Sequence, residues 1–555
     1  SKEHYFSNYN VEILTGDHKL TDSKKKAIKN ADIVIMTSEM LDTRTRFISN
    51  EDNHWLYEVG ILVVDEAHLL TTERGPALEV GLMNFTQHNK QARLMLLSAT
   101  LSNTKQIAKW LEWLNEKQTI TIDTTWRPVE LIKHHVMCDE MILNLGGYNH
   151  DDILSMAEKT IRILRSKEED LAVHLLSDNL DIRKIAEAKL SDEDSTKTLV
   201  FVHSKVQGRK FEKKLKDAGI NAKFHNADLD KKARTKLEKQ FKEDLDVLIA
   251  TSTLAWGVNL PARHVIVCGK KRGINFVSDT DIAQMCGRAG RFGMYERGDV
   301  FLIACPHEDQ FKVESKLHTK AAFHLVAEIA NGTIKNGKDF DAWVDRSLSA
   351  LQANKGRYDF RFVLEDLIDQ QIITSNNNGY VATPTARIAR DLYLDPFDVQ
   401  RWRKNFDALT KAKLWDHDEC LAWALVNDIG LYNLSYIPPE LKNISMIWRK
   451  RFSSRIGYTS DINHPRSNLA LAGLIDDRLR QGMVAPGSMF FQMILMDLNR
   501  IFHALRRLDK IAKWNKSDRL DVLQARIAHG VGEELIGLVK IPGVGGKIAS
   551  DLYSA

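Results

Sequence analysis

Ile61-Leu62-Val63-Val64-Asp65-Glu66-Ala67-His68 opens with four apolar residues, three of them β-branched, and runs into an acidic pair. A run that is apolar on both faces is what a central strand of a parallel sheet needs, because helices cover it on either side. Working outward, similar runs occur at Ile33–Met36, Leu94–Leu97, Leu199–Val202, Val247–Ile249, Val265–Val267 and Phe301–Ile303, with helical stretches between them. The runs fall into two sets that part near Trp126-Arg127-Pro128, which predicts two consecutive doubly wound α/β domains. Ligands of such sheets bind beyond the carboxyl ends of the strands. The polar clusters fall there: Thr37-Ser38-Glu39, Asp65–His68, Ser98-Ala99-Thr100, His203-Ser204 and Thr251-Ser252-Thr253.

At 555 residues the chain is too long for one core, and length alone suggests roughly three to five domains. Its 78 basic and 74 acidic residues leave a net charge of +4, so binding to a polyanion has to come from local basic surfaces. Five cysteines (Cys138, Cys268, Cys286, Cys305, Cys420) are scattered without CxxC pairing, which argues against zinc and against a disulfide framework. No apolar run approaches the roughly 18 residues needed to span a bilayer, and no signal peptide is evident. The expectation is an intracellular protein without membrane contact, cytoplasmic and nucleoid-associated in a prokaryote or nuclear in a eukaryote.

The strand signal fades after about residue 310. Residues 311–395 combine helices with Gln371-Ile372-Ile373-Thr374, an Asn-rich turn and Tyr380-Val381-Ala382, a pattern that suggests a winged helix. Residues 396–530 are nearly all helical, and 531–555 form a glycine-rich close. The predicted boundaries are therefore 1–130 and 131–310 for the α/β domains, then 311–395, 396–530 and 531–555.

An acidic pair at a strand end can hold a water-bound magnesium ion on its first carboxylate, Asp65, while the second, Glu66, orients or deprotonates an attacking water. Alone, such a pair would read as a solvated cap; the strand before it and the other motifs argue otherwise. In Gln284-Met-Cys-Gly287-Arg288-Ala-Gly290-Arg291 two arginines lie three apart on one helical face, with glycines keeping the surface bare. Permanently charged, bidentate guanidinium groups suit the neutralisation of phosphate charge across an interdomain cleft. Met489–Lys510 reads as a long amphipathic helix with Phe490, Ile494, Leu498, Ile501, Leu505 and Leu508 on one side and Gln492, Asn499, His503, Arg506 and Lys510 on the other. Its polar stripe is either a solvated face or a surface for single-stranded nucleic acid, on which His503 and Arg506 could stack.

These residues carry a resemblance. Asp65–His68, Ser98-Ala99-Thr100, Ala250–Pro261 and Gln284–Arg291 look like motifs II, III, V and VI of superfamily-two helicases. Arg74-Gly75-Pro76-Ala77-Leu78-Glu79 and Trp126-Arg127-Pro128 place the resemblance in the Ski-like branch. The order of parts is most similar to archaeal repair helicases of the Hjm type and to the helicase part of polymerase theta. The resemblance implies tandem RecA-like parallel-sheet domains, the first incomplete, then winged helix, helical bundle and helix-hairpin-helix. It implies ATP and Mg2+ as cofactors, with Asp65, Glu66, His68, Gln284, Arg288 and Arg291 catalytic. Ser98, Thr100, Gly257 and Asn259 would bind nucleotide or couple the domains.

Thr37, Ser38, Glu39, His203 and Thr251 are assigned to nucleic acid on the same basis, with Lys540, Gly543, Gly545 and Lys547 of the terminal hairpin, whose glycine-exposed amides and lysines suit a phosphate. Lys270–Asp279 fits the family's strand-separating hairpin. The implied activity is ATP-dependent 3′-to-5′ unwinding of forked or single-strand-tailed DNA in replication or repair by a monomeric motor. An RNA helicase of the same branch and a non-hydrolysing nucleic-acid-binding subunit are the alternatives. One departure bears on them: the family's phosphate loop, GxxxxGK[ST], should precede the strand leading to Thr37 and is not in this sequence. The only near match noted in the sequence, Gly545-Gly546-Lys547-Ile548, lacks the hydroxyl residue and the preceding strand. The expectation is that another segment or a separate N-terminal fragment supplies it, and that the isolated chain is a weak ATPase.

Overall fold

The computed structural model describes residues 8–15, 21–98, 101–124, 126–136, 150–166, 174–175, 177, 179–190, 197–226, 229, 231–251, 254, 260, 262–272, 275–290, 293–306, 312–352, 356–377, 379–427, 429–430, 447, 471–476, 478 and 489–555. It is an α/β chain with two tandem sheet-bearing domains followed by helices. In the first, β1 (Val11–Leu14) pairs in parallel with β2 (Ile33–Met36), and β3 (Ile61–Val64) with β4 (Arg93–Leu96). In the second, β5 (Glu130–Val136), β6 (Thr198–Phe201), β7 (Ala222–His225), β8 (Val247–Ala250), β9 (His264–Cys268) and β12 (Arg297–Ile303) make one parallel sheet in the order β5-β12-β9-β6-β8-β7. Between β9 and β12, the short β10 (Lys271–Arg272) and β11 (Asn275–Phe276) form an antiparallel hairpin.

The two sheets differ in cover. Strands β6, β8 and β9 are buried at every position, as a run apolar on both faces requires. In the first domain only one face is covered. Leu62, Val64, Leu94 and Leu96 pack inward toward helix Gly75–His88, while Ile13, Ile35, Ile61, Val63, Met95 and Leu97 are all exposed. Among the described residues β3 and β4 pair only with each other, and Ile120 and Ile122 in the following extended segment are 80% and 89% exposed. The expectation of helices on both faces is met in the second domain; in the first, which was expected to be incomplete, one face is bare among the described residues.

After β12, helices Ala321–Asn331, Gly337–Asp345 and Gly356–Asp369 precede the antiparallel hairpin β13 (Ile373–Asn376) and β14 (Gly379–Ala382). This unit does not keep a core of its own. Leu317, Leu325, Val326, Trp343 and Phe360 share one apolar cluster with Leu78, Leu82, Met83, Ile107 and Trp110 of the first domain. Polar bonds stitch the same seam: Asn84 donates to Glu328 at 2.8 Å, Trp110 Nε1 to the Arg346 carbonyl at 3.0 Å, and Arg346 to the Met83 carbonyl at 3.0 Å.

Caps set the later helices. Thr383 and Asp395 each accept a backbone N–H, and a proline follows each at the first helical position. Helices Pro396–Ala412, Asp418–Val426, Met489–Ala512 and Ser517–His529 close a second core around Trp402, Phe406, Trp415 and Trp514, whose indole N–H groups at 402, 415 and 514 all find acceptors. No described helix is long and apolar enough to cross a membrane.

Candidate nucleotide site and nucleic-acid interface

The acidic pair stands where its strand ends. Asp65 is exposed and accepts from the Glu66 N–H at 3.0 Å; Glu66 is half-exposed with φ 56° and ψ 52°, a left-handed conformation unfavourable for a residue with a Cβ. That turn is locked from both sides, since Leu97 N–H donates to the Val64 carbonyl and Ala67 N–H to the Leu97 carbonyl, each at 2.8 Å. The next residue inward, His68, is fully buried, with Nδ1 at 3.3 Å from Glu66 and 3.4 Å from the Ser98 hydroxyl. One imidazole thus joins the carboxylate expected to act on water to the serine expected to couple the domains. Burial lowers the His68 pKa; Glu66, Asp281 and Asp65 oppose the shift. Asp281 belongs to helix Asp279–Cys286 of the second domain, so a charge from that domain acts on His68.

Ser278 caps this helix, accepting from Asp281 N–H, and the helix carries half-buried Gln284 and ends at Gly287-Arg288. The turn after it is fixed on the sheet. Ala262 N–H donates to the Arg288 carbonyl at 3.1 Å, and Gly290 N–H to the Ala262 carbonyl at 2.9 Å. Gly290 has φ 66°, and a Cβ there would lie 2.7 Å from Val129 and 2.9 Å from Gly298 N, so only glycine lets the turn sit this close. Arg288 is half-buried beside it. Thr100, Gly257, Asn259 and Arg291 lie outside the described residues.

Other expected residues have mixed placements. Thr37 caps helix Ser38–Arg46 through its hydroxyl (Met40 N–H, 3.4 Å). Glu39 makes a two-point pair with Arg74, at 2.7 and 2.8 Å, which holds its carboxyl below the usual range. Arg74, quoted above only as a family signature, is thereby tied to the Thr37–Glu39 cluster. Ser38 and Thr251 are half-buried. His203 is buried and donates from Nε2 to the Gly269 carbonyl at 2.7 Å. His503 is exposed, whereas Arg506 is held by Asp521 at 2.7 Å and by Gln524. The hairpin β10–β11 carries Phe276, 66% exposed, with the Lys271 ammonium 5.7 Å from its ring centre.

At the C-terminus, Lys540, Gly543, Gly545 and Lys547 are exposed around a turn in which Gly543 has φ 86°. Gly545 begins helix Gly546–Ser554 without a side-chain cap, leaving first-turn amides open to a ligand. The structure also exposes an oversight in the sequence reading. Gly332-Thr-Ile-Lys-Asn-Gly337-Lys338-Asp339 is a nearer match to a phosphate loop than Gly545–Ile548, differing from GxxxxGK[ST] only in its last residue. It joins two helices and follows no strand, and its amides are taken: Lys338 and Asp339 N–H donate to Asn336 at 2.9 and 3.2 Å. Neither stretch is a phosphate loop.

For magnesium, a single exposed carboxylate at a strand end fits the donor set, because this ion keeps most of its waters and takes its other ligands from phosphates. Among the described residues no group of three or more acidic, histidine or cysteine side chains could hold a metal without such help.

The comparisons agree with this geometry. Residues 2–107 match the DEAD/DEAH box helicase family and residues 181–293 the helicase conserved C-terminal domain. The ATP-dependent DNA helicase Hel308 of Thermoplasma volcanium is 29% identical over 98% of this chain and 80% of its own length. That of Thermoplasma acidophilum is 27% identical over the same shares. The pre-mRNA-splicing factor brr2 of Schizosaccharomyces pombe is 31% identical, over 60% of this chain and 16% of that protein. Among solved structures, the DUF1998 helicase MrfA bound to DNA superposes with a TM-score of 0.43 at 16% identity, covering 67% of this chain and 46% of that one. Both helicase domains matched in order, and relatives aligned along almost its whole length, support a superfamily-two helicase of the Ski-like branch, similar to Hel308.

Proposed function

We propose that this chain is the larger part of an ATP-driven DNA helicase that moves 3′ to 5′ on forked or single-strand-tailed DNA, within the cell and in replication or repair. The observation that carries the reading is the cluster Glu66–His68–Ser98, reached by the field of Asp281 from the opposite domain. ATP with Mg2+ supplies the phosphoanhydride whose hydrolysis drives the motor. Asp65 would hold that ion, and Glu66 would accept the proton of the attacking water. His68, kept neutral by burial, positions Glu66 against Ser98. Gln284 and Arg288 are assigned to the γ-phosphate, with Arg291, and Ser98, Thr100, Gly257 and Asn259 to nucleotide binding or domain coupling; Arg291, Thr100, Gly257 and Asn259 carry that assignment from the resemblance alone. The phosphate cradle comes from outside residues 1–555, as a preceding segment or a separate fragment.

The DNA half of the reading rests on the Hel308 relatives and on the exposed lysines of the terminal hairpin. Thr37, Ser38, Glu39, Thr251, His503 and Arg506 are assigned to the DNA track, and the winged-helix reading of 311–395 belongs to the same proposal. His203, pinned to a carbonyl, acts there only through the backbone it holds. The absence of GxxxxGK[ST] favours one second reading, a nucleic-acid-binding subunit that does not hydrolyse ATP. The test takes purified 555-residue protein and measures phosphate release and fork binding together. Fork binding without ATP, a steep salt dependence and weak turnover are expected. The Lys540→Glu/Lys547→Glu variant is expected to flatten the log–log salt slope by about 2, near 0.9 per lost phosphate contact. Tighter binding to matched RNA would overturn the DNA assignment, and strong DNA-stimulated turnover would overturn the external cradle.

A further inference from the structure

The chain that leaves the second motor domain first meets the first domain, among the described residues, at Val313–Ser315. Beyond β12, the backbone of Val313 makes a reciprocal pair with Asn103: Val313 N–H donates to Asn103 Oδ1, and Asn103 Nδ2 donates to the Val313 carbonyl, both at 2.9 Å. Two residues on, the Ser315 hydroxyl donates to Glu79 at 2.5 Å, and the other Glu79 oxygen accepts Ser349 N–H at 3.1 Å. Gln352 closes the group, donating to the Val313 carbonyl at 2.6 Å and accepting Ser315 N–H at 2.8 Å. Glu79 is wholly buried and Val313 likewise.

The two first-domain side chains sit at informative points. Glu79 lies on helix Gly75–His88, which follows the Asp65–His68 turn, and Asn103 starts helix Thr104–Asn115, five residues after Ser98. Each of the two segments that meet at His68 therefore ends in a hand on the same exit strand. The other connection between the motor domains starts nearby, where Lys117 donates to the Gln91 carbonyl at 2.6 Å and Thr119 N–H to Glu112 at 2.9 Å.

We propose that Asn103 and Glu79 are positioning residues of the motor: they clamp residues 313–315, so that the second domain swings on two tethers both anchored on the Ser98 side of the first. From Ile303 to Val313 the chain spans ten steps, a reach of at most about 35 Å. Fixing its far end confines where the helix Asp279–Cys286 can travel relative to Asp65 and Glu66. The proposal uses the helicase reading for its purpose, but its test needs neither ATP turnover nor DNA.

The test attaches a fluorophore pair through genetically encoded reactive side chains at exposed Gln87 in the first domain and Val206 in the second, on the full chain, and records single-molecule transfer efficiencies. Glu79→Ala with Asn103→Ala should widen the wild-type distribution at least twofold at an unchanged melting temperature of the second domain. Glu79→Gln keeps the volume of the side chain but only one of its two acceptors, because its Nε2 donates; a distribution between those of the wild type and the double variant is expected. If the double variant does not fold, Asn103→Asp serves, since it keeps the acceptor for Val313 N–H and loses the donations to the Val313 carbonyl and to Gln106; a distribution shifted or widened relative to wild type is expected. Folded variants with the wild-type distribution would overturn the clamp. A failure of the parent chain to bind forked DNA would sink the proposed function and leave this result standing.

Discussion

Glu66 combines a left-handed backbone with the carboxylate expected to act on water, and the two can be separated by substitution. At most helical or extended positions glycine is less stable than alanine by roughly 0.5–1 kcal/mol. At φ 56° the order should reverse, with Glu66→Gly more stable than Glu66→Ala by about 1 kcal/mol in urea denaturation. Alanine as the more stable variant would mean that the turn relaxes at no cost. Glu79 is a second residue with a resolvable signature. Burial raises its pKa to about 7, opposed by the Ser315 hydroxyl and the backbone N–H groups of Ser349 and Leu348, with no charged partner among the causes. A carboxyl whose folded pKa lies above its unfolded value of 4.5 stabilises the fold fully below pH 4.5 and loses that contribution as pH rises toward 7. Wild type should therefore lose about 1.4 kcal/mol per pH unit relative to Glu79→Gln across that window, then run parallel above it. A stability difference that does not change with pH would show a carboxylate already ionised at pH 5. The sequence made the acidic pair, Ser98 and Gln284–Arg288 legible because the first two follow strands and the last closes a helix in a run of paired glycines and arginines. It could not reveal Glu79, Asn103 or the Glu39–Arg74 pair, whose roles depend on partners 35 to 270 residues away.

Helix Ser38–Arg46 shows how one element becomes a joint. Its solvent-facing first turn presents Glu39 to Arg74, while Asp42 and Arg46, one turn apart, are buried against helix Ala321–Asn331. Asp42 takes a bond from Arg46 and another from the Tyr393 hydroxyl at 3.2 Å, and the Arg46 guanidinium lies 4.8 Å from the Phe323 ring centre. Breaking one half of a buried pair strands the other charge. Arg46→Ala should cost about 3–5 kcal/mol, whereas Asp42→Leu with Arg46→Met should recover most of it. Chemical denaturation of the three proteins decides, and equal losses for single and double variants would assign the effect to packing alone. Element boundaries were readable where patterns were strong: β2 and β3 fall on the expected residues and β4, β6 and β9 within one. Three strands escaped notice in the two sheet-bearing domains: β1, and β5 with Glu-Leu-Ile-Lys-His-His-Val and β7 with Ala-Lys-Phe-His, of which the last two carry polar residues that the sheet accommodates, as where His134 meets Asp299 at 2.7 Å. The bare face of β1–β4 was unreadable for the opposite reason, since an apolar run looks the same whether or not anything covers it.

At the scale of the whole molecule, a line drawn at residue 311 follows the change from sheet to helix, yet the apolar cluster that spans it does not change there. Val64, Ala67 and Leu70, next to the acidic pair, belong to the same cluster as Leu367, Ile372 and Ala386. The first motor domain and residues 312–392 should consequently melt as one cooperative unit. In scanning calorimetry they should give a single endotherm, and a chain ended at residue 311 should lose it and not merely shift it. Two separable transitions for these parts in the intact chain would contradict the common core. The unfolding free energy of a cooperative unit is shared by every residue in it, so a cavity opened at Phe360 or Trp343 lowers the population of a correctly formed Asp65–His68 turn as surely as one opened beneath it. Loss-of-function substitutions in this protein should therefore scatter into the helices after residue 312, far from any nucleotide, and act there through occupancy of the folded state, with the chemistry of the surviving molecules unaltered.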